Sequence, residues 1–145
     1  MPVNPSTTRW GYDSLLVFRD RGLAALTTTT ATPAILLDRL ISYWNAGDQA
    51  QNLQSFVAVE VENLSGTITT LNATVQVGTG AGFTSPAAVA ALDLPQVAGV
   101  YLIPIARERI VQASATADRI RVNFTIAGTT PTAGLNAYLT QVLGH

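Results

Sequence analysis

Glu60 and Glu62 stand at i, i+2 spacing in the run FVAVEVE. In an extended chain that spacing sets both carboxyl groups on one face about 7 Å apart, from a rise of roughly 3.4 Å per residue. Paired carboxylates can act as general acid and base or share a calcium ion. The same chain offers them another use. Arg119 and Arg121 repeat the spacing in RIRVNFTI, and on neighbouring strands these four side chains would form a cross-strand ion-pair ladder. Each exposed pair in such a ladder contributes only about 0–1 kcal/mol, so it sets register more than stability. The ladder is the favoured reading, because glycosidase-like chemistry needs a cleft with convergent polar groups and none is signalled.

Other chemistries find little support. A Ser–His–Asp triad would have to use His145, the one histidine, at a terminus prone to fray. There is no cysteine, hence no thiol nucleophile, thiolate metal site or disulfide framework. No HExxH segment or Walker-type loop occurs. Gly78, Gly80 and Gly82 form a glycine series, but a phosphate loop opens a helix and normally adds a lysine, and every cation in this chain is an arginine. The residues therefore suggest no catalytic, cofactor-binding or metal-ligating side chain, and the reading is a non-enzymatic protein without a cofactor.

Contact chemistry is better represented. Trp10 and Tyr12 follow a polar segment broken by Pro2 and Pro5, and Tyr43 and Trp44 form a second aromatic pair. Aromatics bury large area at low rotamer cost, which makes these four the candidate partner-binding residues. The competing use of Trp10 and Tyr12 is to begin the domain's own core.

Composition narrows the partner. Charged residues are 12% of the 145 residues, against about 25% in an average soluble domain. A net charge of −1 gives no clustered cations to release phosphate counterions, so nucleic acid is not an expected partner. Low charge also fits a subunit that covers much of its surface with other subunits, since interface cores are depleted of charge. Residues 1–20 lack the basic segment and apolar core of a signal peptide, and no apolar run approaches the roughly 20 residues of a membrane helix. The expectation is a soluble compartment and no membrane partner.

The elements that would position these residues are mostly short strands. Residues 1–13 read as an extended arm and 14–145 as one β-sandwich domain. Ser14 to Phe18 and Leu23 to Leu26 are strand candidates, and Thr27 to Thr30 suits an exposed strand or a loop. In Pro33 to Trp44, Thr32 as N-cap, Pro33 at the first helical position and Leu36, Leu37, Leu40, Ile41 and Trp44 at helical spacing argue locally for a helix. Ser55 to Glu62 alternates, a Ser65-Gly66 turn follows, and Thr70 to Val77 alternates again, which reads as a hairpin. Ser85-Pro86 begins either a helix or a short edge strand. Val100 to Ile105 is an apolar strand that Pro104 marks as an edge or bulge. Arg107-Glu108-Arg109 reads as a charged turn or strand end, and Gln112 to Ala117 as a loop. A last hairpin pairs Arg119 to Ile126 with Leu135 to Thr140 through the link Gly128 to Gly134. Seven to nine short strands with no βαβ unit predict an all-β sandwich or jelly roll.

The runs FVAVEVENLSGTITTLNATVQVGTGAGFTSPAAV and DRIRVNFTIAGTTPTAGLNAYLTQV resemble the jelly-roll capsid cement, or decoration, proteins of tailed bacteriophages. The matching features are a strand of the form FVAVEV, a hairpin into TVQV, a GFTSP loop, then RIRVNFTIAG, TAG and a last strand. The resemblance covers about two thirds of the chain, Ser55 to Val142, and the residues before Ser55, chiefly Arg39 to Gln54, depart from it. It implies a jelly-roll-like antiparallel sandwich that binds the outer surface of a shell built by the phage major capsid protein, bridging subunits. It further implies a homo-oligomer, a dimer before a trimer, located on the virion exterior and assembled in the host cytoplasm. It favours a strand near Ile35 to Asp38 over the locally signalled helix. The alternative is a carbohydrate-binding sandwich, on a virion or elsewhere, stacking sugars on Tyr12, Tyr43, Trp44 or Tyr101; a hydrolase using Glu60 and Glu62 comes third.

Overall fold

In a computed structural model that describes residues 16–37 and 53–143, the chain is an all-β fold built on one curled antiparallel sheet of seven strands. In chain order these are β1 (Val17–Arg19), β2 (Thr30–Ala31), β3 (Ile35–Leu36), β4 (Leu53–Thr79), β5 (Thr84–Asp93), β6 (Gly99–Ile105) and β7 (Arg119–Leu143). A short helix, α1 (Arg107–Ala113), joins β6 to β7.

Two strands dominate. β4 has 27 residues and β7 has 25, and they pair antiparallel from Leu53↔Leu143 to Gly78↔Arg119. This corrects the two expected hairpins. Neither Ser65-Gly66 nor Gly128 to Gly134 reverses the chain; each is the corner of one long strand, and the arms on either side of each corner pair with the other long strand. The corners use the same residue chemistry as a turn. Gly66 has φ +75° and Gly128 φ +145°, and at each a Cβ would meet backbone oxygen of the partner strand, Thr130 O at 2.0 Å and Thr67 O at 1.9 Å. Register shifts between Val61 and Asn63, Ser65 and Thr67, and Ile68 and Thr70 add the local twist that bends a strand.

The corner also resets which residues face in. Along β7 the buried apolar side chains are Ile120, Val122, Phe124 and Ile126 before it and Ala133, Leu135, Ala137 and Leu139 after it, a switch from even to odd numbers. Without the irregular corner that switch would turn every later side chain to the wrong face.

The bend divides the sheet into two halves. In one, the order is β1, the second half of β7, the first half of β4, then β6, with Val17↔Tyr138, Ala58↔Tyr138 and Ala58↔Leu102 as cross-strand partners. In the other it is β2 and β3, the first half of β7, the second half of β4, then β5, with Ala31↔Asn123, Thr74↔Asn123 and Thr74↔Ala91. Inward residues of both halves, among them Val57, Val59, Val75, Val122 and Leu139, belong to one apolar cluster, so the sheet curls around a shared core. Alternation read from the sequence is what fills it.

The stretch 16–37 runs along β7 with its pairing interrupted. Leu26 bridges Ala133, and threonine hydroxyls accept where backbone pairing lapses: Thr29 Oγ1 from Ile126 N–H at 3.2 Å and Thr32 Oγ1 from Val122 N–H at 3.0 Å. β3 answers the competition between helix and strand at Ile35–Leu36 in favour of the strand. Leu23 to Leu26 forms only the single bridge at Leu26, and Ser85-Pro86 lies within β5. Arg107-Glu108-Arg109, expected as a charged turn or strand end, opens helix α1. Among its described side chains only Ile110 is buried, and a single anchor produces no helical periodicity to read.

Candidate interaction surface

Glu60 is the best-held polar side chain on the outer face of the β1/β7/β4/β6 half. It lies on β4 opposite Asn136 of β7 and Val100 of β6, and cross-strand partners share a face. Arg21, in the loop after β1, donates from Nε to Glu60 Oε1 at 2.7 Å and from an Nη to Oε2 at 2.6 Å, the fork geometry that matches guanidinium to carboxylate. Asn136, itself buried, donates its amide to Oε1 at 2.8 Å. The loop is tied down independently by Arg19, whose guanidinium donates to Leu135 O at 2.6 Å and to Ala24 O.

Burial pushes the Glu60 carboxyl up, but the hydrogen bonds from Asn136 and Arg21, with the Arg21 charge, outweigh it and hold the group below its ordinary value. The Arg21 guanidinium is raised in turn, by its hydrogen bonds to Glu60 and by the Glu60 charge. A carboxylate held ionised and occupied on both oxygens is poorly placed to donate a proton in catalysis. Glu62 is half-buried beside it and adds negative charge near Arg21.

The expected ladder of Glu60, Glu62, Arg119 and Arg121 does not form. Register sets Arg119 opposite Gly78 and Arg121 opposite Gln76, in the other half of the sheet from Glu60. There Arg121 donates to Gln76 Oε1 at 2.9 Å and stacks 4.0 Å from the Phe83 ring centroid, while Arg119 Nε lies 3.8 Å from Asp118 Oδ1. The ladder required adjacent short strands; two bent strands in long register keep the acidic and basic pairs apart. Trp10, Tyr12, Tyr43 and Trp44 lie outside the described residues.

Next to Glu60 the same face becomes apolar. Val100, Leu102 and Pro104 of β6 point outward across from Glu60, Ala58 and Phe56, while Ile103 and Ile105 point into the core. Val100 is 51% exposed, Leu102 49% and neighbouring Val97 65%, so the stripe is open to solvent where the inner residues are not. Tyr101 donates its hydroxyl to Val97 O at 2.6 Å, fixing the 97–101 turn that leads into the strand. Sequence reasoning did not separate these residues, because VYLIPI is apolar on both faces and alternation is invisible in it; Pro104 was the one legible sign of an edge. Arg21 and Asn136 were equally unmarked, one in a charged turn and the other between Leu135 and Ala137.

A crevice of about 350 Å³ lies between the 17–33 stretch and β7, lined by Phe18, Leu23, Leu26, Pro33 and Phe124 with Arg19 at its side. Asp20, Thr30 and Thr32 add polar groups to this chiefly apolar lining. Among the described residues no group of three or more His, Cys, Asp or Glu could hold a metal ion, and no helix is long and apolar enough to cross a membrane. No protein-family model matches the chain, and no curated protein matches it significantly.

Proposed function

We propose that this chain is a non-enzymatic decoration protein of a tailed bacteriophage, which binds the outer surface of the major capsid protein shell and cements it. The observation that carries the reading is the outer face of the β1/β7/β4/β6 half: an open apolar stripe at Val97, Val100 and Leu102 beside the ordered Arg21–Glu60–Asn136 cluster. An apolar centre with a polar, hydrogen-bonded margin is the anatomy of a protein-binding patch. The low charge of the chain and its resemblance to the cement proteins point the same way.

The finer fold in this proposal is a jelly-roll sandwich with an N-terminal arm over residues 1–13. Strand order supports the sandwich: the last long strand, β7, lies between the first stretch and β4, and β5 and β6 flank β4 on its other side, giving two four-strand orders as in a double-sheet jelly roll. The partners proposed are the major capsid protein and further copies of the chain, as dimers before trimers, on the virion exterior after assembly in the host cytoplasm.

The stabilisation works by mass action. A protein that binds the assembled shell and not its loose subunits adds RT ln(1 + [L]/Kd), about 4 kcal/mol per site at a thousandfold excess over Kd. The carbohydrate-binding alternative loses ground at Tyr101, whose ring is half-buried and packed against the core. Saturable co-sedimentation of the purified protein with undecorated phage shells tests the proposal, and retention on a glycan array without shell binding would replace it with that alternative.

A further inference from the structure

We propose that Arg119 and Arg121 form a binding site for a phosphoryl group, held between their guanidinium groups on the outer face of the β2/β3/β7/β4/β5 half. The site goes beyond shell binding and does not depend on it.

Both arginines alternate with the buried Ile120 and Val122, so they leave β7 on one face, about 7 Å apart at roughly 3.4 Å per residue. Register sets Gly78 of β4 across from Arg119 and Gln76 across from Arg121. Gly78 has no side chain, and the Phe83 ring fills its place: a Cβ there would fall 2.7 Å from the ring. Arg121 lies over the same ring, its guanidinium carbon 4.0 Å from the centroid. The ring thus draws the Arg121 guanidinium toward the position that faces Arg119, and the two cations converge. Left-handed backbone at Phe83 (φ +50°) and Ser85 (φ +51°) holds the ring in this place. Strain of that kind at residues other than glycine is typical of ligand clamps.

The two cations are short of acceptors. Arg119 makes no hydrogen bond among the described residues: its Nε is buried without a partner, and Asp118 Oδ1 lies 3.8 Å from it. That oxygen accepts instead from the Gly80 N–H at 2.9 Å. Arg121 donates from Nε alone, to the neutral Gln76 Oε1 at 2.9 Å. A guanidinium is a fork of several N–H donors, and most of those on this pair meet no protein acceptor. Two cations beside one carboxylate also leave a local positive charge on a chain whose total is −1.

Shape selects the ligand. A carboxylate has two oxygens in one plane and is satisfied by a single fork, as Glu60 is by Arg21. A tetrahedral phosphoryl group turns oxygens to both sides and takes a fork from each of two arginines at once. A nucleic-acid backbone needs a longer run of cations than this pair.

Isothermal titration calorimetry of the purified chain in chloride buffer, with inorganic phosphate, glycerol phosphate and acetate as separate titrants, tests the site. Saturable binding of phosphate is expected. Losing a charged fork should weaken it at least about tenfold in Arg119→Gln and in Arg121→Gln, while Arg109→Gln, exposed on α1, leaves it unchanged. Glycerol phosphate binding as well as phosphate supports a site for phosphomonoesters, and binding of phosphate alone supports a site for the free anion. Asp118→Asn keeps an acceptor for Gly80 and removes the adjacent negative charge, so it should tighten binding. The unmodified chain gives a readout free of any folding defect: phosphate should shift the Nε–H NMR signals of Arg119 and Arg121 and leave that of Arg19 in place. No saturable heat from phosphate, equal weakening in Arg109→Gln, acetate bound as tightly as phosphate, or unmoved Nε–H signals would each overturn the proposal.

Discussion

Asn136 on β7 faces Glu60 on β4 as a direct cross-strand partner, and its buried amide donates to the Glu60 carboxylate at 2.8 Å. The pair shows how the outer face is ordered. A buried amide needs an acceptor, Glu60 supplies it, and the carboxylate in turn recruits Arg21 from the loop after β1. Loop, β4 and β7 are thereby fixed around one side chain.

Glu60→Ala should lower stability by about 1–3 kcal/mol, the expected effect of leaving a buried polar group without its partner. Glu60→Gln retains an acceptor for Asn136 and should lose less. Urea unfolding of the three chains gives the comparison, and equal losses for both substitutions would mean that the amide bond is unimportant.

The same carboxylate predicts a pH dependence. Its folded value lies below the ordinary one, so the unfolded chain binds the proton more readily, and the stabilisation is present above the unfolded value of about 4.3 and lost as pH falls through the folded value. The difference in melting temperature between the unmodified chain and Glu60→Gln should stay level from neutral pH down to about 5 and shrink below about 4. A difference that widened on acidification would reverse the sign.

At the corner, Gly128→Ala would drive a Cβ to 1.9 Å from Thr67 O in a backbone conformation L residues rarely adopt. The expected loss is at least about 2–3 kcal/mol. Gly22→Ala has φ +77° but open space around it, so only the left-handed backbone term of about 1–2 kcal/mol applies. Denaturant midpoints of the two variants test whether corner and loop differ in this order.

Thr32→Val removes the hydroxyl that accepts the Val122 N–H while keeping the side chain's shape. About 1–3 kcal/mol should be lost, and the Val122 amide should exchange faster with deuterium. Unchanged exchange would mean that the side-chain acceptor is dispensable.

The loop from β4 to β5 closes on Phe83, which packs over Gly78 with Arg121 on its ring. A Cβ on Gly78 would fall 2.7 Å from that ring, so Gly78→Ala should displace Phe83 and cost more than Arg121→Ala, for which loss of the cation–ring contact is about 0.5–1 kcal/mol. Thermal melts of both variants rank them.

Much of the core was legible because burial imposes alternation whatever the pairing. Val57, Val59 and Val61, Leu71 to Val77, and Ile120 to Ile126 were read from period 2 alone, and all their inward members are buried. Pairing was not legible at Ser65-Gly66 or Gly128 to Gly134, since a reversal and a bulged corner both ask for glycine at positive φ. That one ambiguity converted two long strands into two hairpins, while the ladder of Glu60, Glu62, Arg119 and Arg121 rested on matching i, i+2 spacing, which does not carry register. The Arg21–Glu60–Asn136 cluster depends on contacts across distant parts of the chain and leaves no local pattern. The β6 stripe was hidden by an apolar inner face, and only Pro104 disclosed the edge.

The most direct test of the proposed role is a heat challenge of undecorated phage shells with and without saturating purified protein. Binding to the shell predicts a higher disruption temperature that rises with protein concentration and then saturates, reduced in a variant that breaks the outer face, such as Leu102→Lys with Val97→Lys. A disruption temperature unmoved at every concentration would contradict the cement function.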